Sequence, residues 1–256
     1  MAEFIDADLR GARFAHVEMS GARLQSVDLS DAEFRSVDLS RAVMRGVDLI
    51  DVEIHGDIEN LVINDVDVVP LIEAELNRRH PLRVKMRPAD PDGFRDAWEI
   101  LERLWAGTID RARRFAPEQL HESVNGEWSF IETLRHLSYA TDGWFRRNIL
   151  GVPSPWDALD WPPDEFPDAP EFARELNARP SLDTVLALRR DRSVAVRAYL
   201  EQLSDETLNA WTKPVDGPGW PPSHSYAVRQ CLLVVLNEEW QHRLYAERDF
   251  DLLDER

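Results

Sequence analysis

The sequence predicts a mixed fold in two parts, a five-residue-repeat solenoid followed by a helical bundle. Three observations predict it. Large apolar residues recur at every fifth position from Phe4 to Ile54, each with a small residue two places before it. From about residue 92 the apolar spacing changes to three and four, the period of an amphipathic helix, in four separate stretches. The composition, 43% apolar and 30% charged over 256 residues, suits packed cores rather than a disordered or fibrous chain. The expected boundaries are 1–57 for the solenoid, 58–90 for a cap and linker, and 91–256 for the bundle.

The large series is Phe4, Leu9, Phe14, Met19, Leu24, Leu29, Phe34, Leu39, Met44, Leu49 and Ile54. The small series is Ala2, Ala7, Ala12, Val17, Ala22, Val27, Ala32, Val37, Ala42, Val47 and Val52. A period of five fits neither a helix nor a flat strand. It places every large residue inside only if the chain turns a corner in each repeat. Residues 2–55 thereby resemble the pentapeptide-repeat family. The resemblance implies a right-handed square β-helix with four repeats per coil, just under three coils, and an open end that needs a cap. Two roles stand for such a segment: a spacer or association surface, or an acidic mimic of DNA. Arginines at Arg10, Arg13, Arg23, Arg35, Arg41 and Arg45 interrupt the acidic face and favour the first.

The register fails at His55-Gly56-Asp57. Leu61-Val62-Ile63 and Val66–Val69 read as short extended pieces, and Leu71–Arg79 has helical spacing with two arginines in its last turn. The proline-rich run from Pro81 to Pro91 reads as a linker. The first bundle helix then spans about Asp92–Arg114. The second begins at Ser129, whose partner Glu132 completes a capping box, and ends at Leu150-Gly151. The third runs from Ser181 to about Leu203, and the fourth from about Ser225 to Arg248. Long loops, Val152–Pro180 with Trp156 and Trp161 and Trp211–His224 with Trp220, separate them. This order implies crossover connections, and long loops in compact domains are often functional.

In the fourth helix Cys231, Val235, Glu238, His242 and Tyr245 alternate four and three apart, the spacing of a buried seam. A buried carboxylate needs a partner. Glutamate and histidine at i, i+4 can grip one metal ion. Glu239 is three residues from His242 and competes for the role, but the seam phase favours Glu238. On the second helix His136 sits in a stripe of small residues, Thr133, Ala140 and Gly143, which leaves room beside the imidazole. His136, Glu238 and His242 together make a two-histidine, one-carboxylate set with an open position, suited to Zn²⁺ and also to Fe²⁺ or Ni²⁺. The bland alternative is a Glu238–His242 pair hydrogen-bonded in the core with His136 unrelated. His121 and His224 lie in loops that could reach the mouth of the site, and Cys231 reads as a core thiol.

Glu127–Leu137 and Glu238–Asp249 are similar to the second- and fourth-helix motifs of the DinB/YfiT superfamily, and the resemblance covers residues 90–252. It implies a DinB-like four-helix bundle whose metal is held by one histidine on helix two and two residues four apart on helix four. His136 matches the first ligand and His242 the third. The middle ligand is histidine in many members and Glu238 here, a pattern that resembles the mycothiol-dependent maleylpyruvate isomerases with His-Glu-His on zinc.

The net charge of −18 argues against nucleic-acid phosphates and anionic membranes as partners. No apolar run approaches the length of about 18 residues that spans a bilayer. The first residues lack the pattern of a signal peptide, and one cysteine makes no internal disulfide, so a cytoplasmic home is expected. Of 30 basic residues only Lys85 and Lys213 are lysine, a bias typical of GC-rich genomes that points to mycothiol as the thiol. The functional expectation is a metal-dependent transferase or isomerase that uses such a thiol against a small-molecule electrophile. The alternative is a non-catalytic metal-binding scaffold in which the solenoid makes a homodimer.

Overall fold

The computed structural model describes residues 3–163, 175–217 and 219–256. Ala2 of the small series, Pro218, and the stretch 164–174 with Pro167 and Pro170 lie outside the described residues. The chain divides into two units, one ending at Val52 and one beginning at Glu53.

In the first unit the backbone turns with period five. The angle φ is positive at Asp6, Gly11, His16, Gly21, Ser26, Asp31, Ser36, Arg41, Gly46 and Asp51. Glycine takes this left-handed conformation without steric penalty, whereas the other residues are held there by the turn. The turns do not close into the expected right-handed β-helix. Among the described residues no strand forms here, and no backbone hydrogen bond joins one repeat to another twenty residues on. The large residues are exposed, from 43% at Leu9 to 66% at Phe4.

The corners are made locally. Only alternate corners are closed by a backbone hydrogen bond, from Ala12, Ala22, Ala32 and Ala42 to the carbonyls of Leu9, Met19, Leu29 and Leu39. At these corners an acid just before the large residue also accepts a backbone N–H two residues on: Asp8 from Arg10, Glu18 from Ser20, Asp28 from Ser30 and Asp38 from Ser40. The structural period is therefore ten residues.

The second unit opens with a two-residue hairpin. β1 (Val62–Ile63) and β2 (Val66–Asp67) pair antiparallel, with Ile63 opposite Val66. Asn64 and Asp65 both have positive φ, as a tight primed turn requires. Helix α1 (Val69–Arg79) follows, then a 3₁₀ turn, Pro81–Met86. The segment expected as linker thus carries structure: Met86 is buried in the core, and Arg83 and Arg87 tie back to Glu73 of α1 at 2.7 and 2.9 Å.

Four long helices form the bundle: α2 (Pro91–Ala112), α3 (Phe130–Thr141), α4 (Leu182–Glu201) and α6 (Val228–Asp254), with a single-turn α5 (Asp205–Leu208). Their starts follow side-chain chemistry. Asp90 accepts from Gly93 N, the Ser129–Glu132 capping box is complete, and Ser181 accepts from Thr184 N. α2 and α3 each pack on α4 and α6. Successive helices α2 and α3 are therefore diagonal, which requires crossing connections. Phe94, Trp98, Phe145, Leu200, Leu232 and Trp240 anchor one core cluster, and Trp105, Phe130, Leu134, Val185 and Phe250 anchor another.

Three boundaries differ from the sequence expectation, and the first of them is the end of the last helix, which runs past Arg248 to Asp254. The last helix starts at Val228, because Ser225 is held elsewhere: its hydroxyl donates to Thr212 O, and Ala227 bridges to Trp211. The second bundle helix leaves α geometry at Asp142, where Asp142–Arg147 forms a π turn. Loop backbone crowds this point. A Cβ at Gly143 would lie 2.8 Å from Trp220 O. Arg147, fully buried, donates to the carbonyls of Pro153, Val215 and Gly217, so one guanidinium gathers both long loops over the π turn. π turns of this kind recur at functional sites.

Gly143→Ala is expected to destabilise the bundle by about 1–3 kcal/mol, because the methyl group must push the Trp220 backbone away. That is a fall of about 2–4 °C in Tm per kcal/mol for a unit of this size, readable by thermal denaturation. A parent-like Tm would mean the loop is not seated on Gly143.

Candidate metal centre

α3 and α6 bring three predicted residues together. His136 projects from α3, and Glu238 and His242 from successive turns of α6. Each offers one ligand atom, and these atoms all lie within 4.8 Å of one another. His136 Nε2 is 3.3 Å and His242 Nε2 3.1 Å from the same oxygen, Glu238 Oε2. Two ligand atoms about 2.0–2.1 Å from one tetrahedral ion lie about 3.3–3.4 Å apart, so these separations fit a single small cation.

The protonation pattern sharpens the fit. His136 Nδ1 lies 3.0 Å from Trp161 O. A carbonyl only accepts, so Nδ1 carries the proton. In the neutral ring Nε2 is then a bare lone pair, aimed at a carboxylate oxygen. Two acceptors in that relation require a cation between them, either a second ring proton or a metal ion. A carbonyl on the far ring nitrogen is the usual outer support of a metal-binding histidine. Burial pushes the Glu238 carboxyl up; with a proton on each Nε2, hydrogen bonds from His136 and His242 outweigh it and hold the group below the usual carboxylate range, and a metal ion takes that place when those protons are absent.

Glu239, the competitor, is excluded by its own partner. It is buried and receives Arg189 Nη2 on both oxygens, at 2.8 and 3.1 Å. The seam expected inward is graded: Cys231 and Val235 are fully buried, while the Glu238 side chain keeps 28% exposure. An open hollow of about 370 Å³ runs along α6 to Glu238 and is lined also by Asp57, Gln230, Leu233 and Asn237, but not by His136 or His242. His121 and His224 stand outside the cluster. His121 is the last residue of a 3₁₀ turn, and His224 rests edge-on against Tyr226. Cys231 has its thiol pushed up to about 11 by burial, so it is an inert core group.

Sequence reasoning singled out the loop of Trp156 and Trp161 but not the contacts these residues make, and it gave Trp128 no role. Trp128 stacks parallel to His242, 12° between planes at 5.9 Å, and tilts over His136 at 4.6 Å, so it walls one side of the centre. It stands one residue before the α3 cap, a position that periodicity does not flag. Trp156 stacks on Tyr139. Trp161 contributes its backbone carbonyl, which no side-chain pattern reveals. Behind the centre lies a second charged cluster. Asp142, buried completely, takes Arg192 at 2.7 Å and Arg146 at 3.1 Å. Asp160, 3% exposed, accepts from Asp157 N with one oxygen and has no hydrogen bond at the other. Burial, then the charge of Asp142, pushes the Asp160 carboxyl up to about 8.

Residues 100–246 match the model of the DinB superfamily. Residues 2–41 and 28–56 match pentapeptide repeats, in eight copies. No curated protein and no solved structure matches the chain. Among the described residues no helix is long and apolar enough to cross a membrane.

The Asp160 environment predicts a pH dependence. Its carboxyl binds a proton more tightly in the folded state than in the unfolded chain, so the folded state holds more protons between the ordinary value of 3.8 and about 8. Stability must then fall as pH rises through that window. Asp160→Asn removes this slope. Urea unfolding near pH 5 and near pH 8 should show the variant gaining on the parent at the higher pH, and an unchanged difference would refute the assignment.

Proposed function

The chain belongs to the DinB superfamily, and on that premise we propose that it is a metal-dependent thiol transferase or isomerase whose divalent ion, zinc first and nickel or iron next, is held by His136, Glu238 and His242. The observation that carries the reading is the convergence of His136 Nε2 and His242 Nε2 on one oxygen of Glu238, at 3.3 and 3.1 Å, with the opposite ring nitrogen of His136 on Trp161 O. Two neutral imidazoles and one carboxylate leave a divalent ion one positive charge and at least one free position. When bound, such an ion supplies the Lewis acidity that converts a coordinating thiol to a thiolate at neutral pH.

The protein's own groups supply the rest. Glu238 lowers the charge of the centre by one, which favours a thiolate that can leave again. The Trp128 indole shields one side of both imidazoles from water. The hollow along α6 gives a small molecule a route to the exposed edge of Glu238. Mycothiol is the proposed thiol, on the arginine bias and the His-Glu-His pattern, and a small electrophile is the proposed co-substrate.

A second reading is favoured by the apolar residues that stand exposed along the first unit. Contiguous apolar surface of that kind marks association sites. On this reading the repeat segment joins two copies of the chain and the metal only braces the bundle. Phe34→Arg together with Leu39→Arg should then convert a dimer to a monomer in sedimentation, and a parent that is already monomeric removes the reading.

His136→Ala and His242→Ala should each abolish stoichiometric metal while the helical circular dichroism persists. Glu238→His should retain metal, because it keeps three ligands. Full occupancy in both alanine variants would overturn the ligand assignment. Mycothiol should raise the Tm of the zinc-loaded protein and not of the metal-free protein. At a hundredfold excess over Kd the gain is about 2.7 kcal/mol, a shift of roughly 2–4 °C per kcal/mol. Bacillithiol and glutathione serve as comparisons, and no metal-dependent shift with any of the three refutes the thiol chemistry.

A further inference from the structure

Arg135 precedes His136 on α3 and is 1% exposed, yet among the described residues no carboxylate hydrogen-bonds it. Its donors all go to backbone carbonyls of the loop segments beside the metal centre. Nε donates to Leu159 O at 2.5 Å, Nη2 to Glu175 O at 2.8 Å and Nη1 to Ala178 O at 3.4 Å. The guanidinium also lies over the Trp161 ring, 4.8 Å from its centroid. The Trp161 peptide is in turn held at both ends by α3: its N–H donates to Arg135 O, and its carbonyl accepts from His136 Nδ1. A planar fork can bridge carbonyls that lie in three directions, and a buried guanidinium is expensive to desolvate unless it does so.

We infer that Arg135 is the positioning residue of the metal centre: by holding Leu159, Glu175, Ala178 and the Trp161 ring it keeps the Trp161 carbonyl on His136 Nδ1, and so presents His136 Nε2, unprotonated, to the ion. The inference rests on the metal site proposed above. It makes the geometry of a loop, rather than the ligands alone, the determinant of affinity. It also gives the buried arginine a task that core packing does not require, since a leucine or methionine fills such a space without the desolvation penalty.

The test uses the full chain and Co²⁺, whose visible absorption reports coordination. Parent, Arg135→Lys and Arg135→Met are titrated with Co²⁺ after circular dichroism and thermal melting of each metal-free protein. Both variants should bind Co²⁺ about 10- to 100-fold more weakly, the range for lost outer support of a metal-binding histidine, with an altered visible band. Lysine should fail with methionine, because one ammonium cannot span three carbonyls. If Arg135→Lys matches the parent while Arg135→Met does not, charge suffices and the positioning role is wrong. If both match the parent in affinity and spectrum, the inference falls and the metal site stands. A parent that binds no Co²⁺ overturns the metal site itself. Should neither variant fold, the parent decides alone. Imidazole ¹⁵N spectra of the Zn²⁺-loaded protein should show His136 protonated at Nδ1 and bound through Nε2. Binding through Nδ1 would overturn the inference.

Discussion

Two adjacent residues of α3 direct their side-chain nitrogens at the backbone of neighbouring loop segments, and much of the second unit follows from that. His136 turns Nδ1 to the Trp161 carbonyl while Arg135 holds the carbonyls of Leu159, Glu175 and Ala178. The first contact fixes the tautomer of His136 and leaves Nε2 in need of a cation opposite Glu238. The second fixes the loop that makes the first possible. A buried backbone carbonyl must find a donor, and here the donors are side chains of a helix that also carries a ligand. Arg147 repeats the device at the far end, where it gathers the carbonyls of Pro153, Val215 and Gly217. α3 and its π extension therefore act as the frame on which both proline-rich loops are hung.

The acidic groups around this frame sort by partner. Glu239 and Asp142 are buried against Arg189 and Arg192. Removing one member of such a pair would leave the other charge stranded in low dielectric. Glu238 has no arginine. Its partners are two imidazoles, weaker donors that a metal ion can replace, and it keeps contact with solvent. Asp160 has neither arginine nor imidazole on its free oxygen and answers by retaining its proton. The four carboxylates thus have different chemistry because of what stands within hydrogen-bond reach of each.

The repeat segment obeys a different logic. Its corners are local, made by positive φ and by acids that accept a nearby backbone N–H. Nothing in that local chemistry obliges the large residues to be enclosed. Enclosure in a solenoid comes from the next coil, and among the described residues no backbone hydrogen bond joins one coil to the next. The segment carries a strong repeat signature and leaves its apolar side exposed.

The sequence alone determined the elements whose cause is local. Helical periodicity and the caps at Ser129 and Ser181 place α3 and α4 starts correctly, and the spacing of Glu238 and His242 assigns them to one face of α6. The five-residue period of the corners was legible for the same reason, because φ at each corner depends on residues within a turn. Only the tertiary structure decided the rest. The π turn at Asp142 arises where loop backbone presses on Gly143. The start of α6 is set by Ser225 bonding to Thr212. The Trp161 carbonyl and the Trp128 wall join the centre from positions with no side-chain pattern, and a backbone carbonyl is the same in every residue. The ten-residue alternation shows only in which corners close. The meeting of His136 with Glu238 and His242, about a hundred residues apart along the chain, was legible as a set of ligand types; that their nitrogens and oxygen converge depends on α3 packing against α6, which is long-range burial and cannot be read from either helix by itself.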